Sequence, residues 1–226
     1  MKRPLLFALA LAIAGLLLAL LPTLWHMATT PAGAGGPPAP GTPWQVATPA
    51  PGRSEVFGLR LPGSTLGEAS GRWGEDIAVA VLADPGGVLA LEAYVERFDA
   101  GGVGGRLLLA FEPDATRLAH WRATLPGQPT ASGGWRHTLN AAALADLAAA
   151  PLVGLSFIPA AQLDAAVLSA RFGAPAEQLA GGERLQHWLY PAQGLAVALD
   201  AQGRELLQYV APADFERRLA APLRGR

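Results

Sequence analysis

The residues that could do chemistry are few in this sequence, and they are widely spaced. The histidines are His26, His120, His137 and His187, and none has a second histidine at the spacing of a metal-binding motif. The chain contains no cysteine, which excludes a thiolate zinc site, a cysteine nucleophile and a disulfide. We therefore expect no metal and no other cofactor.

Segments that look like catalytic motifs lack essential residues. In GGVGG at 101–105, a dinucleotide-binding loop would need glycine at the position of Leu107. The segment GLSFI at 154–158 lacks the final glycine of a nucleophile elbow. The adjacent Glu75 and Asp76 would point to opposite faces of a strand. These observations favour a protein that is not an enzyme.

Aromatic residues near the C-terminus are the best candidates for a binding surface. Trp188 and Tyr190 alternate on one predicted strand, and Tyr209 lies on a later one. If Leu185 and Leu189 of the first strand face the core, Trp188 and Tyr190 face outward. Together with Tyr209 they would then form an interface anchor. The alternative is that all three aromatics are ordinary core residues.

Charge and composition limit the class of partner. The formal net charge is −1 and no block of like charge occurs, so a nucleic-acid partner is not expected. Lys2 is the only lysine, and arginine provides the other basic residues, which is typical of a GC-rich bacterial genome.

The first 27 residues have the pattern of a membrane anchor. Two basic residues, Lys2 and Arg3, precede an unbroken apolar run at 5–21, and Trp25 follows it. At about 1.5 Å per residue, a helix of this length just spans a hydrocarbon core. We therefore predict a single-pass protein of the bacterial inner membrane. The basic end predicts that its N-terminus is cytoplasmic and that its C-terminal part is periplasmic. The alternative is a cleaved signal segment, for which 32–34 (AGA) would suit a peptidase.

A linker is predicted to follow the anchor. Residues 28–53 are rich in proline, alanine, glycine and threonine and contain no acidic residue. Such a composition buries too little apolar surface to fold by itself, so we expect an extended tether.

From residue 54 onward, predicted strands alternate with helices that have recognisable N-caps. The caps are Ser64 or Thr65, Asp114, Asn140 and Asp164. We predict an α+β fold in four segments: repeat unit 1 at 54–113, a connecting helix–strand–helix at 114–151, repeat unit 2 at 152–217 and a tail at 218–226.

The two units are predicted to be tandem copies of a strand–helix–antiparallel meander. Four short matches lie in the same order and about a hundred residues apart. The pairs are Pro62 with Pro159, Arg72–Gly74 with Arg171–Gly173, Asp99–Ala100 with Asp200–Ala201, and Gly105–Arg106 with Gly203–Arg204.

The second unit resembles a known family. A helix that ends at Phe172–Pro175 (FGAP), a strand with Trp188 and Tyr190, and a hairpin with Asp200 and Gly203–Arg204 are similar to the small outer-membrane-assembly lipoproteins of the SmpA/OmlA type. They are also similar to the tandem β-lactamase-inhibitor-protein fold and to a group of proteobacterial proteins. The resemblance implies this fold and a binding role in the cell envelope. The chain departs from the lipoproteins in having no lipobox cysteine.

We therefore expect a membrane-anchored, periplasm-facing module that binds an envelope protein or a cell-wall component. A hydrolase of the envelope is the alternative, and a structural spacer is a third hypothesis. The hydrolase would require convergent polar groups, for instance among Glu96, Asp99, His137 and His187.

Overall fold

The computed structural model describes residues 41–203 and 205–225. The predicted anchor, the first part of the predicted linker, and Arg204 of the second hairpin match lie outside these ranges. Within them, none of the helices combines the length and the apolarity needed to cross a membrane.

The described residues contain more strand than helix, and most of the strands are short. The strands are β1 (Ser54–Val56), β2 (Leu59–Leu61), β3 (Ile77–Ala83), β4 (Leu89–Ala100), β5 (Val103–Phe111), β6 (Gln128–Pro129), β7 (Trp135–Thr138), β8 (Leu152–Pro159), β9 (Glu177–Ala180), β10 (Leu185–Tyr190), β11 (Leu195–Asp200) and β12 (Leu206–Val210).

Helices are few, and their N-caps confirm the sequence-based assignments. The helices are α1 (Leu66–Trp73), α2 (Ala115–Thr124), α3 (Ala141–Leu147), α4 (Ala165–Phe172) and α5 (Glu216–Ala220, then Ala221–Arg224). The side chains of Thr65, Asp114, Asn140 and Asp164 accept hydrogen bonds from the first-turn N–H groups of α1 to α4.

Strands β3 to β12 form one antiparallel sheet, in the order β6-β7-β3-β4-β5-β8-β12-β11-β10-β9. Strand β8 joins two meanders, because it pairs with β5 on one side and with β12 on the other. Gly105 permits the close approach of β5 to β8, since a Cβ at this position would collide with the Phe157 ring and the Ile158 carbonyl oxygen. The fold is therefore α+β, built on a large antiparallel sheet.

One face of the sheet, here called the inner face, carries the main core. Leu91, Ala93 and Val95 of β4 point to this face, and helices α1 to α4 contribute buried side chains to the same cluster. A bulge after Val95 shifts the alternation of β4, so that Phe98 also points inward.

Residues 56–62, whose composition would suit a single strand, instead belong to a hairpin. Phe57 and Gly58 both have positive φ, 54° and 69°, and they form the two-residue turn between β1 and β2. Phe57 adopts this unfavourable conformation because its ring is buried against Phe98, Phe157 and Tyr209, with centroids 5.1, 5.5 and 5.8 Å away. Tertiary packing therefore overrides the strand propensity of this segment.

The predicted linker is shorter than the sequence suggested, because residues 41–53 pack on the folded part. The Tyr209 hydroxyl donates a hydrogen bond of 2.8 Å to the carbonyl oxygen of Pro43. The Trp44 ring lies 4.6 Å from the Arg171 guanidinium, a cation–π contact. Ala47 and Glu55 form an isolated β-bridge. The folded part of the chain therefore extends back to about residue 41.

The predicted tail at 218–226 is helical as far as Arg224. Helix α5 begins with a wide π turn, which is consistent with Pro222, since proline cannot donate the hydrogen bond of a regular helix. Its apolar residues pack on the second face of the sheet, the outer face, against Leu189, Ala196 and Val210. Arg224 holds the end of the helix through Glu177 of β9, at 2.6 Å.

In both hairpins of the predicted repeat, an aspartate side chain accepts a hydrogen bond from a backbone N–H of the turn. Asp99 accepts a hydrogen bond from the N–H of Gly102, and Asp200 accepts one from the N–H of Gln202. The two units differ in their first strands, because β2 lies in a separate two-stranded sheet whereas β8 is central in the large one. The tandem duplication stays a prediction.

The substitution Tyr209→Phe tests the docking of the N-terminal segment. Loss of the hydroxyl leaves the buried Pro43 carbonyl without its partner, so we expect the free energy of unfolding to fall by about 1–3 kcal/mol. Trypsin should also cleave faster after Arg53. The half-exposed Tyr94→Phe is the matched control in thermal melts. Equal stability and equal proteolysis of both variants would show that this hydrogen bond does not hold the segment.

Candidate functional site

The three aromatics predicted as a binding surface are buried. The exposed fractions are 6% for Trp188, 5% for Tyr190 and 1% for Tyr209. The Tyr190 hydroxyl donates to the Gly173 carbonyl oxygen at 3.2 Å, and its ring packs on Phe172 of α4. The expected exposed patch is therefore wrong, and the alternative of ordinary core residues describes their environment.

The predicted exposure of these aromatics was wrong because both faces of the sheet are covered at β10. Trp188 and Tyr190 point to the inner face, as shown by their pairing with Val197 and Leu195 of the core. His187 points to the outer face together with Leu189, but α5 packs there, so His187 is buried as well. Both faces of β10 are covered, and neither could be identified as exposed from alternation alone.

The residues proposed for a hydrolase do not converge. Glu96 and Asp99 are exposed on β4, whereas His187 lies five strands away, roughly 24 Å at the usual strand spacing. His137 is buried on β7, where its Nδ1 lies 2.9 Å from the Leu125 carbonyl oxygen. No group of three potential metal ligands occurs in the part of the chain that the structure describes.

The outer face is covered over only part of its width. Helix α5 packs over the meander β9 to β12, and the described residues place no other element on this face. The remaining outer surface belongs to β6, β7, β3, β4, β5 and β8, and we call it the open face. Its half-exposed residues include Leu82, Ala90, Glu92, Tyr94, Leu108, Ala110, Arg136, Ser156 and Ile158.

Glu92 lies near the middle of the open face. It pairs with Ala80 of β3 and Ala110 of β5, and Ala110 pairs in turn with Gly154 of β8. Directly paired residues point to the same face, so the Glu92 carboxylate is surrounded by very small side chains. A shallow cavity of about 210 Å³ is formed by Glu92, Leu108, Ala110, Gly154, Ser156, Gln208 and Arg218, among others.

The Glu92 carboxylate has no hydrogen-bond or ion-pair partner among the described residues. Partial burial raises the pKa of the Glu92 carboxyl above its ordinary value of 4.5. The ionised form is thus partly desolvated and uncompensated. Such a carboxylate can accept hydrogen bonds from a cationic or amide group, and this makes Glu92 the candidate binding residue.

Sequence reasoning did not single out Glu92. The alternation of β4 would have placed it beside Tyr94 on one face, but it could not show that this face lacks a cover. That depends on where α5 packs.

The substitution Trp188→Ala separates a core role from an interface role. Because the indole is buried in the core on the inner face, we expect a loss of about 3–5 kcal/mol in the free energy of unfolding, measured by denaturant titration. Val167→Ala, at an exposed position of α4, is the control. A fully stable Trp188→Ala variant would contradict the assignment to the core.

The substitution Glu92→Gln tests the unpartnered carboxylate. Because its pKa is raised in the folded state, ionisation opposes folding: the cost is absent below the unfolded-state pKa and complete above the folded-state pKa. We expect Glu92→Gln to melt at a higher temperature than the unaltered chain at pH 7, and at an equal temperature near about pH 3. Glu96→Gln, which removes an exposed ion-pair partner of Arg106, should show no such gain. A destabilised Glu92→Gln at pH 7 would mean that Glu92 has a stabilising partner.

No protein-family model, no curated protein and no solved structure matches the chain. The fold and the candidate site therefore rest on the geometry of this chain alone. The resemblance to the SmpA/OmlA type and to the tandem β-lactamase-inhibitor-protein fold stays a prediction.

Proposed function

We propose that the protein is a membrane-anchored, periplasm-facing module that binds an envelope partner through the open face. The observation that carries this proposal is the uneven cover of the large sheet. Apolar side chains such as Leu108 and Ile158 remain half-exposed on it, beside a carboxylate without a partner. Exposed apolar patches with polar members are typical of interaction surfaces.

The proposal includes the membrane anchor and the orientation of the chain across the membrane. The basic residues before the apolar run at 5–21, and the proline-rich segment after it, favour a membrane anchor and a tether. The tandem duplication is part of the same proposal, supported by the shared aspartate-capped hairpins of the two meanders. A partner in the envelope, either a protein or a cell-wall component, follows from the proposed location.

The position of the first described residues is compatible with an open face that is accessible to a partner. A Cβ at Gly101 would lie 2.9 Å from Thr42, so residue 42 packs against the turn between β4 and β5. The opposite end of β4 is roughly 40 Å away for a strand of this length. The first described residues therefore lie at one end of the sheet, away from the middle of the open face.

The absence of cysteine permits a clean test of topology. In the full chain, Thr116→Cys places one thiol on an exposed position of α2. We expect a membrane-impermeant maleimide to label it in intact spheroplasts of a bacterial host, and carbonate washing to leave the protein in the membrane. Labelling only after lysis would refute the periplasmic location. Release by the wash, with loss of the first segment by mass spectrometry, would support cleavage instead of anchoring.

Photo-cross-linking tests the binding surface in the same full chain. A photoreactive phenylalanine analogue replaces Leu108 on the open face, and in the control it replaces Val88, which is 68% exposed in the β3–β4 turn. We expect a discrete cross-linked product from position 108 and none from position 88. Equal products from both positions, or none from position 108, would contradict the proposed surface.

A further inference from the structure

The open face offers a negative charge that the described chain does not neutralise. Arg106 lies 3.8 Å from Glu96, and Arg218, which lines the same cavity as Glu92, pairs with Glu112. Arg136 of β7 points to the same face, two strands from Glu92. None of these three arginines forms an ion pair or a hydrogen bond with Glu92 among the described residues. A partly desolvated carboxylate without a counter-charge costs free energy, and a cation supplied from outside would remove this cost.

Access to the Glu92 carboxylate is open because its neighbours are small. Ala80 and Ala110 lie on the adjacent strands, Ala90 precedes Glu92 on the same face, and Gly154 extends the row. From Ala80 to Gly154 the row crosses three strand spacings, about 14 Å. This trough is long enough for an extended side chain and the short backbone segment that carries it.

The walls of the trough favour one type of cation. Tyr94 lies two residues from Glu92 on the same face, and Leu108 pairs with Tyr94 across the strands. An aliphatic stem packs well on such apolar walls, and a planar guanidinium both stacks on an aromatic ring and pairs with a carboxylate through two hydrogen bonds.

We propose that the open face recognises a protein partner by an arginine side chain that lies in the trough and pairs with Glu92. This inference rests on the proposed binding function of the open face and adds the chemistry of the partner. It predicts that affinity depends on one charge on each side of the interface, with apolar contacts around it.

The test uses the full chain in detergent micelles and dye-labelled peptides of one design, acetyl-Ala-Val-Xaa-Val-Ala. The residue Xaa is arginine, lysine, the neutral arginine analogue citrulline, or glutamate. Binding is measured by fluorescence anisotropy for the unaltered protein, for Glu92→Gln, and for Glu96→Gln as the matched control. We expect the arginine peptide to bind about tenfold more tightly than the citrulline peptide, the difference expected for a hydrogen-bonded charge pair.

Glu92→Gln should abolish the preference for arginine, and Glu96→Gln should retain it. Equal binding of the arginine and citrulline peptides would overturn the inference while leaving the proposed binding face intact. An undiminished preference in Glu92→Gln, or no binding of the arginine peptide up to millimolar concentration, would overturn it as well. A concentration-dependent dimer that Glu92→Gln abolishes would assign the face to a second copy of the chain and would also overturn it. The proposed binding function is tested separately by the cross-linking experiment, in which the absence of a product from position 108 would contradict it.

Discussion

The packing of Phe57 among three other aromatic rings is the interaction on which the rest of the structure depends. The rings come from the three parts that must be joined: Phe98 from the first meander, Phe157 from the central strand and Tyr209 from the second meander. The β1–β2 hairpin accepts positive φ at Phe57 to bring the ring there. Tyr209 then extends the cluster to the N-terminal segment through Pro43.

This single cluster determines how the sheet is covered. Because this aromatic cluster and helices α1 to α4 all lie on the inner face, most of the apolar side chains of that face are buried. The outer face is left to α5, which is short and is held by ion pairs at its two ends, Arg218 with Glu112 and Arg224 with Glu177. A helix of this length covers four strands and leaves the others open.

The open face therefore results from the limited length of α5, and its chemistry depends on Glu92. Small residues on the neighbouring strands leave the Glu92 carboxylate accessible while still removing part of its hydration, which is why its pKa is raised. An unpaired carboxylate of this kind slightly lowers the stability of the isolated protein, and a partner that supplies a positive charge would restore it. The proposed arginine partner follows from that balance.

Sequence by itself determined the local structure. The caps Asp114, Asn140 and Asp164, the β10–β12 meander and the α+β class follow from side-chain hydrogen bonding and alternation, which act over a few residues. Tertiary structure decided the rest. Whether Trp188 is core or surface, and whether Glu92 is covered, depends on which face each distant helix packs against. Alternation on a strand identifies two faces but not which of them meets another layer, since that contact is made by residues far away in the chain.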